Sequence, residues 1–232
     1  MIKTYFMDIR QLQENTVYEK ALSHISPYRR QKIALLKHQK DKDRSLAAAL
    51  SLHQALTEYG LEERMMEYDI GEQGKPYFRY HPEICFSLSH SGDYAICSIG
   101  EETIGNDIEQ IRDGRLRVAE RFFAEDEVLW IKQAETAEEK DERMFRLWTL
   151  KESFLKVTGL GMSLPLKDFT VSITGNGTVR IRQSVDEKNY FAKEYQMPVL
   201  ESEGYKISVC STSDDFAMEI EQTQVRNIIG ML

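Results

Sequence analysis

Long apolar runs are what this chain lacks most plainly. No stretch approaches the roughly 18 residues a membrane-spanning helix needs, and no basic segment followed by an apolar one opens the chain. A cytoplasmic protein without a membrane partner is therefore expected. Cysteine is scarce: Cys85, Cys97 and Cys210 are odd in number, far apart and without CxxC spacing, which argues against a disulfide framework or a zinc ribbon. All three sit in strand-like runs and read as buried free thiols. Positive charge is short too. Thirty Lys and Arg against 38 Asp and Glu leave a net charge of −8, so a whole-surface field for nucleic acid is excluded. A small polyanion remains possible if local basic clusters overcome the global repulsion. No Pro/Ser-rich linker interrupts the chain.

What is present is an ordinary globular composition. The 232 residues are 41% hydrophobic and 29% charged, enough for a real core. Residues 3–8 read as a strand. Ser26-Pro27 is a helix-start signal, with Ser26 as N-cap and Pro27 in the first turn. Helices are predicted over 27–37 and 41–59, the second closed by Gly60. Strands follow at 66–70, 84–89 and 94–99. The second half repeats the plan: a strand at 103–109, helices near 115–122, 124–134 and 139–158, then strands near 168–173, 178–183, 190–196 and 205–211. A faint echo between 44–60 and 145–161, and between 94–100 and 205–211, suggests two related halves, 1–102 and 103–232. A ligand site at their seam follows the preference of pockets for domain junctions.

Three segments carry the chemistry: FSLSHSG (86–92), IGNDIE (104–109) and LWTLKESFLK (147–156). Strand alternation puts Asp107 and Glu109 on one face, with Asn106 and Ile108 on the other. Crowded acids raise each other's pKa unless a cation neutralises them, and magnesium suits a site of few carboxylates completed by water and substrate phosphates. A solvated strand end is the plainer alternative. On the helix, Leu147, Leu150, Phe154 and Val157 form an apolar stripe, and Trp148 and Leu155 suggest a second packed face. Glu152 and Lys156 lie one turn apart beside them, as metal ligand and phosphate contact or as a surface i,i+4 salt bridge. His90 ends an apolar strand before Ser91-Gly92, where a phosphate or a structural hydrogen bond could use it. Arg29, Arg30, Lys32, Arg44 and Lys75 are the basic candidates, each a solvated charge if taken singly.

Together these segments resemble the Sfp-type 4′-phosphopantetheinyl transferases. The resemblance runs from ISPYRRQK through GKPYF, FSLSHSG, IGNDIE and RFFAEDE to WTLKESFLKVTGLGMSLPL. It implies an α+β fold built as a pseudo-dimer of two similar α/β halves with the active site at the seam, and a monomeric enzyme. The family moves the phosphopantetheine arm of coenzyme A to a serine of a carrier protein, releasing adenosine 3′,5′-bisphosphate. Carried over by motif, Asp107, Glu109 and Glu152 bind magnesium with the coenzyme A pyrophosphate. His90 and Lys156 contact phosphate oxygens, and Glu152 and Lys156 act in catalysis. Arg44, Lys75, Arg29 and Lys32 hold the 3′-phosphate side, and Ser89 lines the nucleotide pocket. The region from Arg112 to Phe123 resembles the carrier-docking surface, with the peptidyl carriers of non-ribosomal peptide (antibiotic) synthesis as the first expectation and polyketide and fatty-acid carriers next.

One position departs from the family: Asn106 stands where an aliphatic residue is usual, so local packing is in question more than metal binding. Two other classes use the same residues. A magnesium-dependent phosphohydrolase would attack with water, and a non-catalytic module would bind coenzyme A or carriers. The specific carrier and the tolerance for acylated coenzyme A are not readable from these motifs.

Overall fold

The computed structural model describes residues 1–231. The chain divides into two compact units, Met1–Glu102 together with the segment from Asp215 onward, and Thr103–Asp214.

The first unit begins with β1 (Lys3–Asp8), followed by α1 (Asn15–Leu22), α2 (Pro27–Ala34) and α3 (Gln39–Thr57). A short hairpin, β2 (Tyr68–Ile70) and β3 (Pro76–Phe78), precedes β4 (Cys85–Ser91) and β5 (Tyr94–Gly100). β5 is central, antiparallel to both β1 and β4, and is buried along its whole length. The α3 sequence explains how it packs. Leu46 to Leu50 enter one core with Met7, Ile9, Val17 and Ala95. Leu52, Ala55 and Leu56 enter a second with Tyr5, Phe78, Phe86 and Cys97. Truncating a buried leucine such as Leu50 to alanine is expected to cost about 2–5 kcal/mol. The Ser26-Pro27 signal behaves as predicted: Ser26 Oγ accepts from the Arg29 backbone N–H at 3.3 Å.

The second unit opens with β6 (Ile104–Gln110). Helices α4 (Leu116–Phe122), α5 (Glu125–Lys132) and α6 (Ala137–Thr158) follow. Next come β7 (Thr170–Ile173), β8 (Val179–Arg182), β9 (Phe191–Tyr195), α7 (Pro198–Ser202) and β10 (Tyr205–Ser211). β10 is the centre of an antiparallel sheet ordered β6-β10-β9, and α6 packs on β6 and β10. Thr136 caps α6, its Oγ1 accepting from Glu139 N at 3.1 Å. Gly159 ends it at φ +72°, a left-handed conformation that suits glycine. The predicted stripe Leu147, Leu150, Phe154 and Val157 is buried, as is Leu155. Trp148 stacks on Phe123 with ring centroids 6.1 Å apart.

The tail departs from the split drawn from the sequence, which assigned everything after 103 to one half. β11 (Glu221–Gln222) pairs in parallel with β1, and Thr223 N donates to Phe6 O at 2.7 Å. α8 (Val225–Ile228) then places Val225 in the first unit's core. The open edge of β1 offers backbone partners that the tail satisfies. No helix among the described residues is long and apolar enough to cross a membrane. Cys97 and Cys210 are buried free thiols and Cys85 is half-buried.

Candidate active site

The acidic strand and the basic helix meet because of one glycine. A Cβ at Gly105 would lie 2.0 Å from Ser153 O, 2.5 Å from Val157 N and 2.9 Å from Lys156 Cβ, so only a residue without a side chain lets β6 run this close to α6. That approach sets the face shared by Gly105, Asp107 and Glu109 against the helix. On β10, Ser208 pairs with Asp107, and its Oγ lies 2.8 Å from Thr149 Oγ1 of α6. Asn106, with Ile104 and Ile108, is fully buried, which is where strand alternation put it.

Lys156 Nζ donates to Asp107 Oδ1 and to the Asn106 carbonyl oxygen, both at 2.8 Å. Asp107 is buried and Lys156 about a third exposed along its side chain. One turn earlier, burial pushes the Glu152 carboxyl above the usual carboxylate range. The negative charges of Asp107 and Glu109 add to the rise and Lys156 opposes it. Both acids of β6 therefore act on Glu152. Among the described residues, however, no three His, Cys, Asp or Glu side chains are gathered closely enough to grip an ion as they stand. The donor chemistry still fits a hard divalent cation: three oxygen ligands of like sign, whose mutual repulsion a cation would relieve.

The other lysine of this helix has a different fate. Lys151 is fully buried, donates to Leu166 O and Phe169 O at 2.8 Å, and pairs with Glu127 at 2.8 Å. Burial pulls its pKa down, with Glu127 opposing. Glu127 also accepts from Val171 N at 2.7 Å and Ala124 N at 2.9 Å, so the pair ties α5, α6 and β7 together. Sequence reasoning assigned it no role, because a lysine beside a glutamate on a helix gives no sign of burial.

Among the remaining predicted residues, Ser89 and His90 lie near the end of β4, half-buried and exposed respectively. Lys75 is half-buried in the turn between β2 and β3, where Gly74 takes φ +86°. Arg44 is in the first turns of α3, its Nη1 3.5 Å from Asp41, and its Nε is buried without a hydrogen-bond partner. Lys32 is exposed, 5.0 Å over the Tyr28 ring. Arg29 is not the solvated charge its neighbours suggested: it is buried among aromatic rings beside Glu63. Glu63 is a further residue that the sequence did not flag.

In the Arg112–Phe123 region, Gly114 N and Arg115 N donate to Asp141 on α6 at 3.2 and 3.3 Å. A cavity of about 260 Å³ opens there, lined by Glu109, Arg112, Arg115, Val118, Met144, Phe145 and Trp148. Two arginines and four apolar side chains thus share one cavity with Glu109 of the acidic strand.

The chain is similar to known proteins over nearly its whole length. The model of the 4′-phosphopantetheinyl transferase superfamily matches residues 103–210. The 4′-phosphopantetheinyl transferase Sfp of Bacillus subtilis (strain 168) is 31% identical over 225 residues, covering 97% of both chains. The 4′-phosphopantetheinyl transferase ffp of Bacillus subtilis is 32% identical over 93% of each. A solved holo-(acyl-carrier-protein) synthase from Bacillus anthracis aligns with 47% of this chain and 93% of its own, at 18% identity and a TM-score of 0.39. On the full-length relatives above 30% identity, this chain belongs to the 4′-phosphopantetheinyl transferase superfamily and is an enzyme of that kind.

Proposed function

We propose that this enzyme, a cytoplasmic monomer, moves the 4′-phosphopantetheine arm of coenzyme A to a serine of an apo peptidyl or acyl carrier protein, with magnesium as its metal. The observation that carries the proposal is the packing of Glu152 and Lys156 on α6 against the Asp107 strand, with Lys156 bonded to Asp107. The names of the full-length relatives add the group that is moved.

In the proposed step the serine oxygen attacks the phosphorus that bears the pantetheine arm. A new P–O bond forms, the bond to the bridging pyrophosphate oxygen breaks, and adenosine 3′,5′-bisphosphate leaves with that oxygen. Such a transfer depends on positioning and charge neutralisation more than on covalent help from the protein. Asp107, Glu109 and Glu152 would hold magnesium, whose chemistry when bound is to neutralise pyrophosphate charge. Glu152 takes the serine proton directly or through water. Lys156 and His90 contact phosphate oxygens, Ser89 lines the nucleotide pocket, and Arg29, Lys32, Arg44 and Lys75 bind the 3′-phosphate side. Arg112–Phe123 docks the carrier, and the cavity floored by Val118, Met144, Phe145 and Trp148 supplies the apolar contact.

Following coenzyme A turnover with and without apo carrier tests the assignment. A transferase releases adenosine 3′,5′-bisphosphate only when the carrier is present. A phosphohydrolase releases it without carrier, and a binding module releases none.

A further inference from the structure

We infer that Glu63 is a positioning residue for Arg29: it holds the guanidinium so that two of its nitrogens are left for an anion, the 3′-phosphate of coenzyme A. The inference rests on the coenzyme A reading above.

Glu63 is completely buried in a short turn between α3 and β2. Its carboxylate accepts from Ser26 N at 2.5 Å, from Ser26 Oγ at 2.9 Å and from the Tyr68 hydroxyl. Ser26 caps α2, and its Oγ also receives the Arg29 backbone N–H. One carboxylate therefore fixes both the start of α2 and the residue at its third position. A buried carboxylate is costly unless paired and hydrogen-bonded, so a glutamate this fully engaged is a built feature.

Arg29 is the other half of the arrangement. Its guanidinium carbon lies 5.0 Å from the centre of the Tyr68 ring, 5.7 Å from Tyr28 and 5.9 Å from Phe86, faces that attract a cation. Its Nε stands 4.0 Å from Glu63, close enough for charge attraction but too far for a hydrogen bond. Nε and Nη2 are both buried without a hydrogen-bond partner. Folded proteins leave few buried donors in that state. An arginine that merely fastens α2 to its surroundings would use its fork of donors on protein acceptors. Arg29 is restrained instead by rings, by a side-chain hydrogen bond with Tyr68 and by a distant carboxylate, and Nε and Nη2 stay unspent. The Tyr28 hydroxyl and Arg44 Nε of the same unit are likewise buried without partners. Unspent donors from cationic side chains match a phosphate, which accepts charge-assisted hydrogen bonds at several oxygens.

The test compares coenzyme A with 3′-dephospho-coenzyme A by calorimetry, reading the ratio of their affinities. Glu63→Gln keeps the shape of the side chain but loses the charge beside Arg29 and the acceptor for one Ser26 donor. It should cut the preference for coenzyme A about tenfold, and Arg29→Ala should cut it at least as far. Tyr68→Phe, which keeps the ring and removes the hydroxyl that donates to Glu63 and bonds with Arg29, should lower the ratio in the same direction and serves if Glu63→Gln does not fold. A ratio unchanged or enlarged in the Glu63 and Tyr68 variants, or equal losses for both ligands, overturns the positioning role. If Arg29→Ala also leaves the ratio unchanged, the 3′-phosphate assignment of Arg29 fails with it. Binding of neither ligand by the parent protein would instead remove the coenzyme A reading itself.

Discussion

Lys156 Nζ is bonded at 2.8 Å to Asp107 Oδ1 and at the same distance to the carbonyl oxygen of Asn106. The last basic residue of α6 is thereby fastened to the strand that carries the acidic pair. An ammonium in this position relieves part of the repulsion among Asp107, Glu109 and Glu152 within the protein itself. It also makes the metal-free stability of the site depend on Asp107.

Asp107→Asn should therefore lower metal-free stability as well as remove transfer. Loss of a charged hydrogen-bond partner costs about 1–2 kcal/mol for a lysine about a third exposed, a melting-temperature drop of about 2–8 °C in a chain of this size. Thermal melts in chelator check it. An unchanged or higher midpoint would show that relief of repulsion with Glu152 outweighs the lost pair.

Gly105→Ala should be among the most damaging single-methyl changes in the protein. The added carbon meets helix backbone at 2.0 and 2.5 Å, which no rotamer change can avoid. A destabilisation of about 3 kcal/mol or more is expected, read as a lower denaturant midpoint at unchanged slope.

These two residues also mark what the sequence could convey. The G-x-D-x-E spacing, the alternation of β6 and the apolar stripe of α6 were legible, because period and residue type determine them locally. The helix ends at Gly60 and Gly159 were legible for the same reason. The reason for the glycine was not, since it lies in a backbone 48 residues away. Glu63 and Lys151 were hidden because acids and lysines are ordinarily exposed, and their partners Ser26 and Phe169 are remote in sequence or bonded through backbone. The return of the tail to β1 rests on a two-residue strand, too short for any period to announce.

Acid should weaken the first unit through His53. Burial, then the neighbouring His24, lowers its pKa below the usual 6.5, with Arg64 also lowering it and Glu62 opposing. Its ring centroid lies 5.7 Å from that of His24. The folded state thus favours the neutral ring, so this contribution is complete above about pH 6.5 and is lost as pH falls through and below that value. Unfolding curves between pH 7.5 and 5.5 should show falling stability, with a shallower fall in His53→Gln. An identical slope in the variant would assign the dependence to other groups.

Glu152→Gln separates two roles of one carboxylate. A pure metal ligand predicts that excess magnesium restores much of the rate. A base predicts that kcat stays depressed by roughly 10²–10⁴-fold at saturating magnesium, because an amide cannot accept the serine proton. The second outcome is expected. Full rescue by magnesium would leave water or substrate phosphate to activate the serine.

The most direct measurement is the intact mass of an apo carrier protein after incubation with this enzyme, coenzyme A and magnesium. The carrier should gain the mass of one phosphopantetheine arm, and a carrier whose acceptor serine is replaced by alanine should gain nothing. A carrier panel unchanged in mass while coenzyme A is consumed would contradict the account.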